Sequence, residues 1–256
     1  MEERPGSGPE PVHVWVKPVD SDQRSAAHAL LLALAATVVG GEPVLRHDEA
    51  GRPHVDGLWV SVSHGHDLVA VAASAAGRVG IDVENRRSFE VTGLAKRWFD
   101  PAELAWMAAQ PDEVEAFLWL WTAKEAVGKA LGRGLRGSGL RRLMPLPPEL
   151  LAPPGPLPPP EPLHPQEHLD SPPPDTGPRT GGSLTGGTLT GGPLTGGLVP
   201  SEPTLALLHL SLRANAVLAL AVPAGVRSVE VCEHHGAALR STVTSRTSFP
   251  VVVRGN

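Results

Sequence analysis

An α+β fold is predicted for this chain, and three observations predict it. Short apolar runs with strand character come in groups and do not rotate strictly with helices: 12–17, then 58–64, 68–74 and 78–84, then 205–212, 216–222 and 226–231. Three stretches between these groups carry helix periodicity and start and stop signals. A long Pro/Gly-rich segment separates the last helix from the final strands.

In order, Val12, Val14 and Val16 alternate with His13, Trp15 and Lys17, the period of a half-buried strand. Ser25 or Asp22 can cap the Ala/Leu-rich helix that runs from Ala26 to Val39, and Gly40-Gly41 stops it. The runs at 58–64, 68–74 and 78–84 are joined by Gly65-His66-Asp67 and Ala75-Ala76-Gly77, which predicts an antiparallel meander. Asp100-Pro101-Ala102-Glu103 combines a cap residue, a proline at the first helical position and a carboxylate that reaches back to the cap, so a short helix should run to about Ala109. A longer helix should start near Asp112 and end at Leu131, before Gly132 and Gly134. Arg213-Ala214-Asn215 joins the runs at 205–212 and 216–222 into a hairpin.

Of the 28 prolines and 28 glycines, 18 and 10 lie between residues 145 and 204, where Thr-Gly-Gly units repeat from Thr180 to Gly197. One apolar side chain per repeat cannot build a core, so the segment is expected to be a disordered insertion. The organisation that follows is a flexible N-terminus (1–10), an N-terminal half (11–84), a C-terminal half made of 85–144 and 205–235, the insertion (145–204) and an unassigned C-terminal tail (236–256). The insertion holds six acids against Arg179 alone and so carries the whole net charge of −5. The balanced remainder argues against a nucleic-acid binder, which needs a basic excess. Cys232 is the only cysteine, which excludes an internal disulfide and a Cys-rich zinc site. The acidic first ten residues do not look like a signal peptide, and the longest apolar run, Ala29–Val39, is too short to span a bilayer. The expectation is a cytoplasmic protein with no membrane partner.

Two places carry chemistry. In Arg78-Val79-Gly80-Ile81-Asp82-Val83-Glu84 the apolar residues share one strand face, which sets Asp82 and Glu84 together on the other, roughly 7 Å apart at their Cα atoms. Paired carboxylates suit Mg²⁺, which keeps part of its octahedron for water and phosphate; a merely solvated strand face has the same pattern. On the long helix, about 100° per residue places Glu125 and Lys129 within the apolar stripe of Val114, Leu118 and Trp121. The pair is spaced as an ordinary i,i+4 salt bridge, but inward-facing charges need partners, and a metal and a phosphate would supply them. From Ala126 to Pro148 there is no acid, while Lys129, Arg133, Arg136, Arg141 and Arg142 are basic, which is either a solvated loop or a surface for an acidic partner.

Gly80-Ile81-Asp82-Val83-Glu84, followed about 40 residues later by Trp121-Thr122-Ala123-Lys124-Glu125-Ala126-Val127-Gly128-Lys129, with Gly51-Arg52-Pro53 and Ser61-Val62-Ser63-His64 upstream, resembles the paired signature of the 4′-phosphopantetheinyl transferases of the larger, broad-specificity type. The resemblance covers about Arg24 to Leu135 well and the C-terminal hairpin loosely. It implies two similar α+β halves in a pseudo-twofold arrangement, with coenzyme A and Mg²⁺ in the cleft between them. It further implies a monomer that transfers the 4′-phosphopantetheine arm of coenzyme A to a serine of an apo acyl or peptidyl carrier protein, releasing 3′,5′-ADP. Carried over, Asp82, Glu84 and Glu125 match the metal-binding acids, with Glu125 also the base for the serine proton. Lys129 and His64 match residues at the leaving phosphate, Ser63 with His64 a phosphate-contacting pair, Arg52 a residue near the nucleotide and Arg24 an arginine before the first helix. Some relatives have a basic residue in that helix where this chain reads His28-Ala29. A catalytically silent binding module and a Mg²⁺-dependent phosphatase are the other readings open to the same residues.

Overall fold

Alternation at the N-terminus does make a strand: Val12, Val14 and Val16 are buried in β1 (Val12–Pro18). The computed structural model describes residues 10–20, 22–87, 90–135, 139–146, 189–190, 192–212, 216–234 and 244–254. The expectations for the N-terminus up to residue 9, the turn 213–215, Arg136 and the bulk of the Pro/Gly segment (147–188 and 191) lie outside these.

Helix α1 (Gln23–Val39) is capped by Asp22, whose side chain accepts from the Ser25 backbone N at 3.2 Å; Ser25 itself sits inside the first turn. Short strands β2 (Leu45–His47) and β3 (Pro53–Val55) form their own ribbon. Then come β4 (Trp59–His64), β5 (Leu68–Ser74) and β6 (Gly80–Asn85). Helix α2 (Thr92–Trp98) follows, then α3 (Pro101–Ala108), whose capping box between Asp100 and Glu103 is formed as predicted, and α4 (Glu113–Ala130), capped by Asp112. After a 3₁₀ turn at Gly139–Arg141 come β7 (Leu189–Thr190), β8 (Leu194–Val199), β9 (Glu202–Ser211), β10 (Ala216–Pro223), β11 (Ser228–His234) and β12 (Thr244–Arg254).

These strands make one long, curled sheet in the order β4-β5-β1-β11-β12-β8-β9-β10-β6, with β7 beside β12. The predicted meander is therefore only half right. β4 and β5 are a hairpin, but β5 spends its other edge on β1, from His13↔Ala73 to Pro18↔Leu68, so no edge remains for β6. β6 pairs instead with β10, with Asp82 opposite Ala219 and Glu84 opposite Val217. The boundary drawn at residue 84 thus separates a strand from its ladder partner.

Two further expectations are corrected. The end of the supposed insertion is sheet: β8 lies between β12 and β9, and Val199 is fully buried. Glycine suits the close pairing at Gly196, where a Cβ would stand 2.7 Å from the Leu207 carbonyl oxygen. The unassigned tail contains β12, which pairs with β11 and β8 and so joins the two halves of the sheet.

Period-two alternation then builds three cores. Leu68, Ala70 and Ala72 of β5, Val79, Ile81 and Val83 around β6, and Leu218, Leu220 and Val222 of β10 point into the curl of the sheet. The other face of β5, Val69, Val71 and Ala73, takes Leu30, Leu31 and Leu34 of α1. The other face of β10, Val217, Ala219 and Ala221, takes α4 with α2 and α3. Among the described residues no helix is long and apolar enough to cross a membrane.

Candidate active site

With the apolar residues of β6 turned inward, Gly80, Asp82 and Glu84 face α4, as the alternation requires. Gly80 lets the helix lie directly on the strand: a Cβ there would be 1.9 Å from Ala126 O and 2.5 Å from Ala130 N. That close approach brings Glu125 and Lys129 over the two acids. Lys129 Nζ donates to Asp82 Oδ1 at 2.7 Å and to the Ile81 carbonyl at 3.0 Å. Its ion pair is thus with the strand and not with Glu125, the neighbour that helical spacing suggests.

Asp82 is buried, and its two oxygens differ. Oδ1 also accepts from Ser63 Oγ at 2.7 Å, whereas Oδ2 is buried without a hydrogen-bond partner among the described residues. Glu84 and Glu125 are half-buried, and burial first, then the charge of Asp82, raises both carboxyls above the ordinary glutamate range while Lys129 opposes the shift. Among the described residues no three His, Cys, Asp or Glu side chains converge closely enough to hold a metal ion as they stand. The donor set nonetheless fits a hard cation: an orphaned carboxylate oxygen and two glutamates whose charged forms are disfavoured by burial and by Asp82 are what such an ion relieves.

His64 is exposed at the end of β4, and its ring is lowered from the usual imidazole range by partial burial, then by Lys129, His28 and Arg24. It is therefore neutral at pH 7. Arg24 and His28 of α1 reach the same corner, where the His28 and His47 rings lie 5.0 Å apart. A cleft of about 570 Å³ opens between β4 and the end of α4, lined by Arg52, Trp59, Arg78, Lys129 and Gly132 among others. Arg52 binds the Asp48 carboxylate through Nε and Nη2, both at 2.6 Å, and donates from Nη1 to the Gly132 carbonyl at 3.0 Å. It thereby fastens the Gly-Arg-Pro turn to the end of α4. The site gathers Asp82, Glu84, Glu125, Lys129, Ser63 and His64 at one seam, with Arg52 along the cleft and Arg24 at its far corner.

Residues 78–148, which contain β6, α2, α3, α4 and the segment after it, match the family model described as the 4′-phosphopantetheinyl transferase superfamily. This segment of the chain is thus similar to that superfamily. Across 95 residues the chain is 35% identical to the 4′-phosphopantetheinyl transferase gsp of Aneurinibacillus migulanus, covering 36% of this chain and 39% of that protein. It is 31% identical over 123 residues to the 4′-phosphopantetheinyl transferase HetI of Nostoc sp., covering 43% of this chain and 52% of that one. A further match, 40% identical over 70 residues, is to 27% of this chain and 4% of the fatty acid synthase subunit alpha of Lachancea kluyveri. The chain thus spans about half or less of the length of the curated relatives it matches.

Two contacts around the site escaped sequence reasoning. Lys124, next to Glu125, is completely buried and bound to Glu103. Its charge between two alanine-rich turns is the signal that could have found it, since a lysine on an apolar helix face needs a partner. The Ser63–Asp82 bond joins residues on strands at opposite ends of the sheet order, and no local pattern announces it.

Proposed function

We propose that this chain transfers the 4′-phosphopantetheine arm of coenzyme A to a serine hydroxyl of an apo acyl or peptidyl carrier protein. The observation that carries the reading is the Asp82–Lys129 pair across β6 and α4, with one Asp82 oxygen free and Glu84 and Glu125 beside it, inside the segment that matches the superfamily. Asp82, Glu84 and Glu125 are the residues to hold Mg²⁺, which when bound supplies charge neutralisation for the pyrophosphate.

This chain's own residues account for the remaining work. Glu125, held above the usual glutamate range, is the base that accepts the serine proton. The serine oxygen bonds to the β-phosphorus, the bond from that phosphorus to the bridging oxygen breaks, and 3′,5′-ADP departs with the electron pair. Lys129, drawn from Asp82 by phosphate, offsets the charge on the leaving group. His64, neutral at pH 7, donates a hydrogen bond there. Arg52 and Arg24 extend the cationic track toward the nucleotide end.

The arrangement also supports the finer expectations. Each half lays one helix, α1 or α4, on sheet strands, as a pseudo-twofold relation of the halves asks. Arg133, Arg141 and Arg142 beyond α4 suit the acidic face of a carrier protein. The reading is of a monomer working in the cytoplasm. The test is mass spectrometry of an apo carrier domain incubated with the chain, coenzyme A and Mg²⁺. The expected outcome is a carrier heavier by one phosphopantetheine, lost when the serine is replaced or EDTA is added. Coenzyme A cleaved with the carrier unchanged would show a phosphatase, and coenzyme A bound but intact a silent binding module.

A further inference from the structure

β4 and β6 stand at opposite ends of the sheet order, yet the curl brings them side by side. Among the described residues they share no backbone ladder. Serine hydroxyls bridge them instead: Ser61 Oγ accepts from Ile81 N at 3.1 Å and Ser63 Oγ accepts from Val83 N at 3.3 Å. Both serines are buried, so each takes up a strand amide that would otherwise be left unpaired in the interior. The two serines have the same role at the seam and differ in one respect. Ser63 alone spends its proton on a carboxylate, donating to Asp82 Oδ1 at 2.7 Å.

We infer that Ser63 is a positioning residue for Asp82, its hydroxyl fixing the carboxylate so that Oδ1 meets Lys129 and Oδ2 is left open for a divalent cation. The inference rests on the reading of Asp82 as a cation ligand. The resemblance gives Ser63 to the coenzyme's phosphate, but a buried hydroxyl already engaged as donor to Asp82 and acceptor from Val83 has little left for a ligand. A carboxylate on a strand can rotate about its last bond. Without the Ser63 bond, Oδ1 would keep Lys129 alone among the described residues, and a lysine able to follow a phosphate does not hold the rotation. The serine bond supplies the fixed partner that ligating carboxylates need to keep their orientation.

Ser61 provides an internal control. Manganese binding to the full chain, followed by loss of the free-ion electron paramagnetic resonance signal, is measured without coenzyme A for the wild type, Ser63→Ala, Ser61→Ala and Asp82→Asn, alongside thermal melting of each. Both serine variants should melt lower, Ser63→Ala by more, since it loses its bonds to both Val83 N and Asp82 while Ser61→Ala loses its bond to Ile81 N. Only Ser63→Ala should weaken manganese, by about tenfold, the usual effect of removing an outer-sphere partner. Asp82→Asn should weaken it further. If Ser63→Ala does not fold, Ser63→Cys, which keeps the shape but donates weakly, is expected to give the same ranking. Wild-type manganese affinity in a folded Ser63 variant overturns the inference, as does equal weakening by Ser61→Ala, which would assign the effect to the seam. Wild-type affinity in Asp82→Asn overturns the metal reading of Asp82, and this inference with it.

Discussion

Helix α4 carries two lysine–carboxylate pairs a little over one turn apart, and they are built in opposite ways. Lys124 gives all three of its protons away: to Glu103 Oε1 and Oε2 at 2.8 and 2.7 Å, and to the Arg142 carbonyl at 2.6 Å. Glu103 is filled too, accepting Met144 N on one oxygen and Asp100 N on the other, each at 3.0 Å. Both side chains are closed to solvent, at 0% and 1% exposure. Lys129 and Asp82 are more open, at 27% and 7%, and leave Oδ2 of the acid without a partner. The contrast teaches how to read buried charge: a saturated pair is a fastener, here tying α3 and the segment after α4 to the helix, while an unsaturated pair keeps an acceptor open, which the proposed cation would take.

The severest break in this comparison is Lys124→Ala, which leaves Glu103 charged and buried. It should cost about 3–5 kcal/mol of stability by urea denaturation. The double change Lys124→Met with Glu103→Leu should recover much of that loss, because apolar residues of similar volume need no partners. A folded Lys124→Ala variant with a wild-type urea midpoint would mean that the fastener reading is wrong.

Next in size is Gly80→Ala, which drives a methyl group into the backbone of α4 at Ala126 and Ala130. Overpacking of this kind should destabilise by about 1–3 kcal/mol and, by lifting Lys129 from Asp82, reduce transfer more than the stability loss alone explains. A Gly80→Ala variant with full activity would show that the close approach of helix to strand does not set the site.

At the open pair, Asp82→Ala, Glu125→Ala and Lys129→Ala should each lower transfer at least tenfold, about 1.4 kcal/mol in the barrier, with small effects on melting. High Mg²⁺ should restore part of the rate in the two acid variants and none in Lys129→Ala. Near wild-type rates for Glu125→Ala at low Mg²⁺ would remove both roles given to that residue.

The smallest effect concerns His209, a third polar group under α4, tucked beneath Trp119 with ring centroids 4.0 Å apart and Nε2 3.3 Å from the Trp119 carbonyl. Burial pushes its imidazole down to about 3. The unfolded chain takes up a proton below about 6.5 that the folded chain refuses, so the stability from neutral His209 is complete above pH 6.5 and is lost as pH falls toward 3. The slope should stay below about 1.4 kcal/mol per pH unit, since the side chain as a whole is only half-buried. Melting scans from pH 7 to 4 should show a shallower fall for His209→Gln than for the wild type; parallel curves would assign the acid sensitivity to other groups.

Local rules reached far into this chain where the determining atoms are near in sequence. The capping box at Asp100 and Glu103, the cap at Asp112 and the facing of Asp82 and Glu84 away from Ile81 all hold, since each depends on residues within a turn or a pleat. Glu125 and Lys129 on one side of α4 follow from the helix repeat alone. Helix α2 gave no such sign: its N-cap, Val91, makes no side-chain cap bond, and the helix packs against the α4 core.

What the sequence determined by itself is the set of strands and helices that bear the candidate site residues, and the side of each on which those residues stand, because backbone periodicity is a property of neighbours. Tertiary structure alone decided the pairings. β6 went to β10 because β5 had no free edge, β8 found its ladder partners in β12 and β9, and Lys124 met Glu103 across 21 residues of chain. Whether Asp82 ends with a free oxygen depends on Ser63, 19 residues before it, and Lys129, 47 after it, arriving together at one carboxylate. Such meetings are set by how the whole sheet curls, and no window of sequence contains them.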